Sequence, residues 1–204
     1  MSINEQKNDR RIRKTKNSLK DALLTLLQEK EFKDISIKDI VAQADLNRGT
    51  FYKHFPYKED LLKEIIEDVI IDLIQSYRDP YINKDTFQVE ELTSSSIKIF
   101  EHVAKHSIFY KIIFQSNVIP GFQNRMVHEL KTLAIEDMTV FNTNPNINRE
   151  LQTSYYTHAL LGMVTEWVQG DFKYTPQYMA EQLIEIIHER PSFASITAKP
   201  TQGG

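Results

Sequence analysis

The chain has 204 residues, of which 41% are hydrophobic and 26% charged, and it contains no cysteine. These proportions are ordinary for a globular protein, and the lack of cysteine excludes disulfide bonds, thiolate zinc sites and cysteine nucleophiles. Residues 1–20 carry seven Lys or Arg against two acids, whereas residues 61–204 carry twelve against eighteen. This distribution is typical of a protein that contacts phosphate at one end. Because no export signal and no membrane-length apolar stretch is visible, we expect a cytoplasmic protein.

The first part of the chain predicts three helices. Apolar residues at three- and four-residue spacing indicate an amphipathic first helix over residues 9–29. Ser36 and Asp39 have the spacing of a capping box, which begins a short second helix. After a three-residue turn, Asn47 is a favourable N-cap for a short third helix that ends near Pro56.

The rest of the chain is also helical in pattern. A fourth helix has a broad apolar face from Leu61 to Tyr77. Five further helices are predicted, over residues 89–105, 107–115, 120–141, 148–170 and 175–189. We therefore predict an all-α protein of about nine helices in two domains. These are a small domain of short helices at residues 1–57 and a larger helical domain at residues 58–190, followed by a mobile tail at 191–204.

The second and third helices have the form of a helix-turn-helix. Phe51 and Phe55 lie one turn apart and should point into the small core. The third helix then presents a polar outer face that can approach a major groove, made by Gly49, Thr50, Tyr52 and Lys53. Ser36 and Lys38 at the second helix, and Lys58 at the fourth, stand where helix N-termini favour phosphate. The same residues also suit the surface of a helical domain that never contacts DNA.

Residues 36–65 resemble the TetR family of bacterial regulators. The run Ser36–Val41 is similar to the family's second helix, and the run Asn47–Leu62 to its recognition helix and the start of its fourth helix. The resemblance implies an all-helical homodimer that pairs through its last two helices and holds an inducer in its C-terminal domain. It also implies a set of DNA-contacting residues, namely Ser36, Lys38, Arg48, Thr50, Tyr52, Lys53, His54 and Lys58.

Two further points belong to this resemblance. The family often has glycine in the turn where this chain has Asp45, and we expect the turn to survive because aspartate tolerates left-handed backbone. Residues 155–187 are similar to a subgroup that includes regulators of dihydroxyacetone kinase genes.

The aromatic-rich stretch from residue 100 to 167 predicts either an apolar effector pocket or plain helix-bundle core. The candidate pocket residues are Phe100, Tyr110, Phe114, Met126, Tyr155 and His158. The last two helices are predicted to form a seam with a second subunit. The candidate seam residues are Tyr156, Leu160, Met163, Trp167, Leu183 and Ile187. Burial of these residues within one subunit is the alternative.

Metal binding and catalysis have weaker signals. His102 and His106 are four residues apart on one helix face, which suits a ligand pair, but no third ligand is identifiable. We therefore predict no metal site and no cofactor. The chain has no glycine-rich phosphate loop and no nucleophile elbow, so we predict that it is not an enzyme.

Together these observations predict a repressor that binds a roughly palindromic double-stranded DNA operator as a homodimer. A small-molecule effector of unknown identity would release it by favouring the state that does not bind DNA. Two alternatives stay open. One is a regulator without an inducer, either constitutive or activating. The other is a helical enzyme or scaffold that uses its N-terminal helices as an interaction surface.

Overall fold

The computed structural model describes residues 3–82, 97–115, 121–136 and 145–189. Within these ranges the chain forms nine α-helices, two short 3₁₀ helices and no strand, which confirms the predicted all-α class. In chain order the helices are α1 (Ile3–Leu27), α2 (Ile37–Gln43), α3 (Arg48–Tyr52), α4 (Lys58–Arg78), α5 (Ile99–Lys105), α6 (Ser107–Gln115), α7 (Phe122–Glu136), α8 (Arg149–Gln169) and α9 (Pro176–His188). No helix in the described ranges is long and apolar enough to cross a membrane.

The predicted helix boundaries agree closely with the structure where it describes them. The differences are at α1, which begins at Ile3 rather than near residue 9, and at the predicted fifth helix, where residues 97 and 98 are not helical and α5 begins at Ile99. The predicted start of the fifth helix at 89–96, the end of the seventh at 137–141 and the tail at 191–204 lie outside the described residues.

Two side-chain caps set the short helices of the N-terminal part. The Ser36 hydroxyl oxygen accepts a hydrogen bond from the Asp39 N–H (3.2 Å), and the Asp39 carboxylate accepts one from the Ser36 N–H (2.9 Å). Asn47 Oδ1 accepts a hydrogen bond from the Thr50 N–H at 2.8 Å. Both predicted caps are confirmed, and they explain how helices of seven and five residues hold their first turns.

One apolar core runs through the whole described chain, and α4 contributes to both of its ends. Near the N-terminus the core surrounds Phe51, which is fully buried. Further along, Phe100 of α5 and Trp167 of α8 pack edge to face with ring centroids 5.7 Å apart. The buried face of α4 extends from Leu61 to Leu73, so this helix contacts α1 as well as α5 and α7. A tilt of α4 would therefore be felt in both parts of the subunit.

Candidate nucleic-acid interface

The turn between α2 and α3 is a Schellman motif built around an aspartate. Asp45 has a φ of 52°, in the left-handed region that usually takes glycine. Its N–H donates to the Ala42 carbonyl at 3.3 Å, and the Leu46 N–H donates to the Val41 carbonyl at 2.8 Å. These two bonds satisfy carbonyls at the end of α2 and direct the chain into α3. The turn therefore keeps its expected form without glycine.

The inward and outward faces of α3 are divided as the periodicity predicts. Phe51 and Phe55 are buried, with ring centroids 5.8 Å apart. Four of the predicted DNA-contacting residues on or just after α3 are exposed, namely Arg48, Gly49, Tyr52 and Lys53. Thr50 and His54 are half-buried at the edge of this face. The exposed surface therefore combines a guanidinium, a phenol and an ammonium group, which can bind base edges and phosphates.

Gly49 keeps this surface low and protects the cap of α3. A methyl group at this position would lie 3.3 Å from Asn47 Oδ1, the atom that accepts the Thr50 N–H. The Thr50 hydroxyl also donates to Asn47 Oδ1, at 3.1 Å. A larger residue at position 49 would therefore crowd the Asn47 cap. It would also protrude from the exposed face of α3 that would approach DNA.

The start of α2 offers an exposed cation and an engaged hydroxyl. Ser36 is exposed, but its hydroxyl donates to Asp39 Oδ2 at 2.7 Å. Lys38 is exposed on the first turn of α2. Hydrogen bonding to Ser36 lowers the pKa of the Asp39 carboxyl, which keeps it anionic at the positive end of the helix. Ser36 can still accept from a donor, but its proton is committed to the capping box.

Lys58 has a structural partner that sequence reasoning did not foresee. Its ammonium group donates to the backbone carbonyls of Phe32 and Ile35, both at 2.7 Å, and lies 4.5 Å from the centroid of the Phe32 ring. These contacts tie the first turn of α4 to the segment that precedes α2. The neighbouring exposed group at this helix end is Tyr57, which the sequence analysis did not select as a contact. Its position beside the first turn of α4 is the signal that could have identified it.

Fewer basic side chains of α1 are available at its surface than the sequence alone suggests. Lys16 Nζ lies 2.6 Å from Glu64 Oε2 and 5.1 Å from the centroid of the Phe55 ring, so it belongs to the packing of α1 against α4. Lys20 Nζ lies 2.6 Å from Glu64 Oε1. Burial raises the pKa of Glu64, but hydrogen bonds from both lysines outweigh this effect and lower it. Among the α1 side chains that the structure describes, the exposed basic ones are Arg10, Arg11, Arg13 and Lys14.

The six predicted effector-pocket residues do not come together. Tyr110 is fully buried, with its hydroxyl 3.8 Å from Met126 Sδ and its ring centroid 6.2 Å from that of Phe114. Phe100 lies in the same core. Tyr155 and His158 instead lie exposed on the outside of α8. The first four residues therefore form packed core, and the last two do not belong with them.

A cleft of about 490 Å³ lies beside the connection between α8 and α9. Its lining residues are Ala104, Ser107, Lys111, Trp167, Asp171, Phe172, Tyr174, Thr175 and Pro176. None of the six predicted pocket residues lines it. The cleft is open to solvent, and it combines aromatic rings with an ion pair between Lys111 and Asp171.

The predicted seam residues divide into an outer and an inner group. Tyr156 and Ile187 are exposed, and Leu160, Met163 and Leu183 are half-buried. The prediction that Trp167 lies in the seam is wrong, because this side chain is only 3% exposed. Its indole Nε1–H donates to the Tyr174 carbonyl at 3.0 Å. It anchors the core of one subunit. Tyr178 and Ile186 of α9 are exposed as well, and α8 adds two exposed apolar residues that were not seam candidates, Leu151 and Tyr155.

Two family models match this chain. Residues 19–65 match the model of "Bacterial regulatory proteins, tetR family", and residues 90–189 match the model of a "Transcriptional regulator C-terminal region". The first match contains α2 and α3 together with the exposed face described above. The second contains α5 to α9.

Curated relatives and solved structures agree with these matches. The chain is 22% identical over 175 residues to an uncharacterised helix-turn-helix transcriptional regulator, YxbF of Bacillus subtilis, covering 84% of this chain and 44% of that protein. It is 31% identical over 100 residues to DhaS of Lactococcus lactis, described as a transcriptional activator of the dhaKLM operon, covering 49% of each. The alignments thus span about half the length of these relatives. A TetR regulator from Streptococcus agalactiae shares the fold at a TM-score of 0.56 and 23% identity, over 91% of this chain and 99% of that one.

Proposed function

Because the chain belongs to the TetR family of bacterial transcriptional regulators, we propose that it binds operator DNA as a homodimer through α3 and responds to a small-molecule effector. Members of the family are regulators and not enzymes, which agrees with the prediction made from the sequence. The alternative of an enzyme or scaffold is therefore not retained.

The exposed face of α3 is the observation that carries the DNA-binding part of this proposal. Arg48, Tyr52 and Lys53 stand around the low surface at Gly49, while Phe51 anchors the helix from the opposite side. Tyr52 and Lys53 would reach base edges, and Arg48 and Lys38 would bind phosphates on either side of the groove. Lys58 supports the interface by holding α4 in place rather than through its own charge on DNA.

The dimer part of the proposal is supported by the outer faces of α8 and α9. Tyr156, Ile186 and Ile187 expose 50%, 56% and 38% of their surface in the isolated subunit. Exposed apolar residues on neighbouring helices are typical of a surface that a second copy covers. Gly162 of α8 has open space where a Cβ would stand, which would let another helix approach closely. Such a dimer would place two α3 helices in successive major grooves about 34–36 Å apart.

Effector response is proposed to act through α4. This helix begins just after α3 and packs against α1 at one end and against α5 and α7 at the other. The cleft of about 490 Å³ beside the α8–α9 connection is our candidate for the effector site. A ligand there changes DNA binding only if it binds one orientation of α4 more tightly than the other.

The direction of regulation separates two versions of this function. We propose repression relieved by the effector as the first version. Activation is the second, favoured by the similarity to a relative named as an operon activator. In vitro transcription from a promoter that carries the bound site decides between them, because added protein lowers transcript yield in the first version and raises it in the second.

Selection of DNA from a randomised library tests the function itself. The full-length protein should enrich an inverted repeat whose half-sites lie about 10–10.5 base pairs apart, or a multiple of that spacing. Enrichment of a single half-site would contradict the dimeric reading. Failure to enrich any sequence over the starting pool would contradict sequence-specific DNA binding.

A further inference from the structure

A cluster of polar side chains at the corner between α4, α5 and α6 takes no part in the proposed DNA interface. Asp72 lies on α4, His102 on α5, and His106 at the corner where α5 gives way to α6. Nδ1 of His102 and Nε2 of His106 lie 2.7 Å and 3.0 Å from the same atom, Oδ2 of Asp72. Two ring nitrogens and one carboxylate oxygen therefore face a common point, with all three within 4.8 Å of one another.

His102 has a polar partner on each side of its ring. A carboxylate can only accept, so the hydrogen bond between Nδ1 and Asp72 Oδ2 requires a proton on Nδ1, and Nε2 lies 2.8 Å from the hydroxyl oxygen of Tyr110. A metal ion at Nδ1 would replace that proton, and the ring would then carry its N–H at Nε2, where the Tyr110 oxygen can accept it. The Tyr110 hydroxyl lies 3.8 Å from Met126 Sδ, a weak acceptor toward which its O–H can turn.

We propose that Asp72, His102 and His106 form a binding site for a divalent transition-metal ion of the Zn²⁺ class. Two imidazole nitrogens and a carboxylate are a ligand set that Zn²⁺ and neighbouring first-row metals accept, whereas Mg²⁺ prefers oxygen ligands throughout. Tyr110 orients His102 from behind, as outer hydrogen-bond partners of metal-bound histidines do. The site is separate from the DNA-binding residues and does not depend on the function proposed above.

The three ligand atoms must shift to receive the ion. Ligand atoms about 2.0–2.2 Å from a tetrahedral Zn²⁺ lie roughly 3.4 Å apart, so the two short contacts to Asp72 Oδ2 would open by about half an ångström. The two ring nitrogens, which lie within 4.8 Å of each other, would draw together. Asp72 and His106 are partly exposed, with 30% and 23% of their side-chain surface accessible, so the ion has a route from solvent. Lys105 binds the other carboxylate oxygen, Oδ1, at 2.5 Å and leaves Oδ2 to the metal. A water or an effector oxygen can complete the coordination.

A metal at this point would link α4 to the α5–α6 corner. His102 and its neighbours lie in the part of the chain that matches the C-terminal family model, while α4 begins directly after the helix-turn-helix. The bound ion would stabilise the folded state by an amount that grows with metal concentration.

Metal titration of the full-length protein, after treatment with a chelator, tests this proposal. We expect saturable binding of one Zn²⁺ per chain by calorimetry, and visible absorption bands when Co²⁺ takes its place. His106→Gln and Asp72→Asn should each weaken binding at least about tenfold, and Tyr110→Phe by about tenfold through loss of the outer partner. Circular dichroism shows which variants are folded, and the two ligand variants alter different helices, so the test does not depend on either alone.

Matched controls separate this site from adventitious binding. His158→Gln removes an exposed histidine on α8, and Lys105→Gln removes a partner of Asp72 that is not a ligand; both should leave binding intact, and Mg²⁺ should not compete. Absence of saturable Zn²⁺ binding would overturn the proposal, since the three side chains would then be joined by hydrogen bonds alone. Binding that survives both ligand substitutions, or that is lost in His158→Gln, would also overturn it.

Discussion

The ammonium group of Lys58 lies 2.7 Å from the backbone carbonyl oxygen of Ile35, and it donates a second hydrogen bond to the carbonyl of Phe32. A cation at the start of α4 thus satisfies acceptors in the segment before α2. Lys58 belongs to the run Asn47–Leu62, whose resemblance to the family implies a DNA contact. The same position at the start of α4 gives the lysine this internal role. Residues near a DNA interface therefore need to be separated into those that bind phosphate and those that shape the domain.

Substitution of Lys58 by methionine distinguishes these roles. Loss of charged hydrogen bonds to two carbonyls should lower the free energy of unfolding by about 2 kcal/mol. The slope of log affinity for DNA against log salt should not change, because no phosphate contact is lost. In the control Lys53→Ala, stability should stay within about 0.5 kcal/mol and the slope should fall by about one. Urea unfolding and binding titrations measure both; a lower slope in Lys58→Met would assign the lysine to DNA.

The turn at Asp45 gives a prediction about backbone strain. Asp45→Ala should destabilise the protein by about 1 kcal/mol, because alanine tolerates a φ of 52° less well. Asp45→Gly should stay within about 0.5 kcal/mol of the parent, since relief of strain offsets the greater freedom of the unfolded chain. Urea unfolding midpoints compare the two. Equal loss in both variants would mean that the aspartate side chain, and not its backbone conformation, holds the turn.

The contact between α1 and α4 predicts a pH dependence. The folded pKa of Glu64 is lowered, because hydrogen bonds from Lys16 and Lys20 outweigh its burial. Its contribution is therefore present above the ordinary glutamate pKa of about 4.3 and is lost as the pH falls through the lower folded value. Glu64→Gln should cost about 1 kcal/mol near neutrality, since the carboxylate is partly exposed. That difference should shrink at lower pH in urea unfolding, whereas Glu29→Gln, at an exposed residue, should change stability by less than about 0.5 kcal/mol near neutrality.

The proposed seam can be tested by placing a charge on it. Ile186 on α9 is 56% exposed in the subunit, and Ile71 on α4 is 63% exposed on another face. Ile186→Glu should weaken the dimer at least about tenfold, because each charge would be buried without a partner. Ile71→Glu is the matched control and should leave the dimer unchanged. Sedimentation equilibrium measures both, and a monomeric parent protein or an unaffected Ile186→Glu dimer would contradict the seam.

Local signals allowed most of the fold to be predicted. The caps at Ser36 and Asn47, the left-handed position at Asp45 and the inward pair Phe51 and Phe55 all depend on residues within a few positions of one another. Such patterns are readable because backbone geometry fixes which near neighbours meet. The outward face of α3 follows from the same periodicity.

What the sequence could not supply are contacts between distant helices. Asp72 lies thirty positions before His102, on a different helix, so the third group of the cluster has no local signal except an acid within an apolar stretch. The burial of Trp167 and the exposure of Tyr155 could not be predicted, for one shared reason. Both residues lie on α8, and an apolar stripe looks alike in the sequence whether it faces the core or a second subunit. Whether an apolar side chain is buried therefore depends on how the helices are arranged, and not on its residue type alone.

Binding of full-length protein to DNA from its own upstream region, compared with the Tyr52→Ala/Lys53→Ala double variant, tests the central claim most directly. Measured at about 50 mM and 200 mM salt, the parent protein should bind specifically, with an affinity that falls steeply as salt rises. The double variant should lose most of the preference for that DNA over unrelated DNA while its thermal stability is unchanged, because both side chains are exposed. Unchanged affinity and preference in the double variant would contradict recognition through α3.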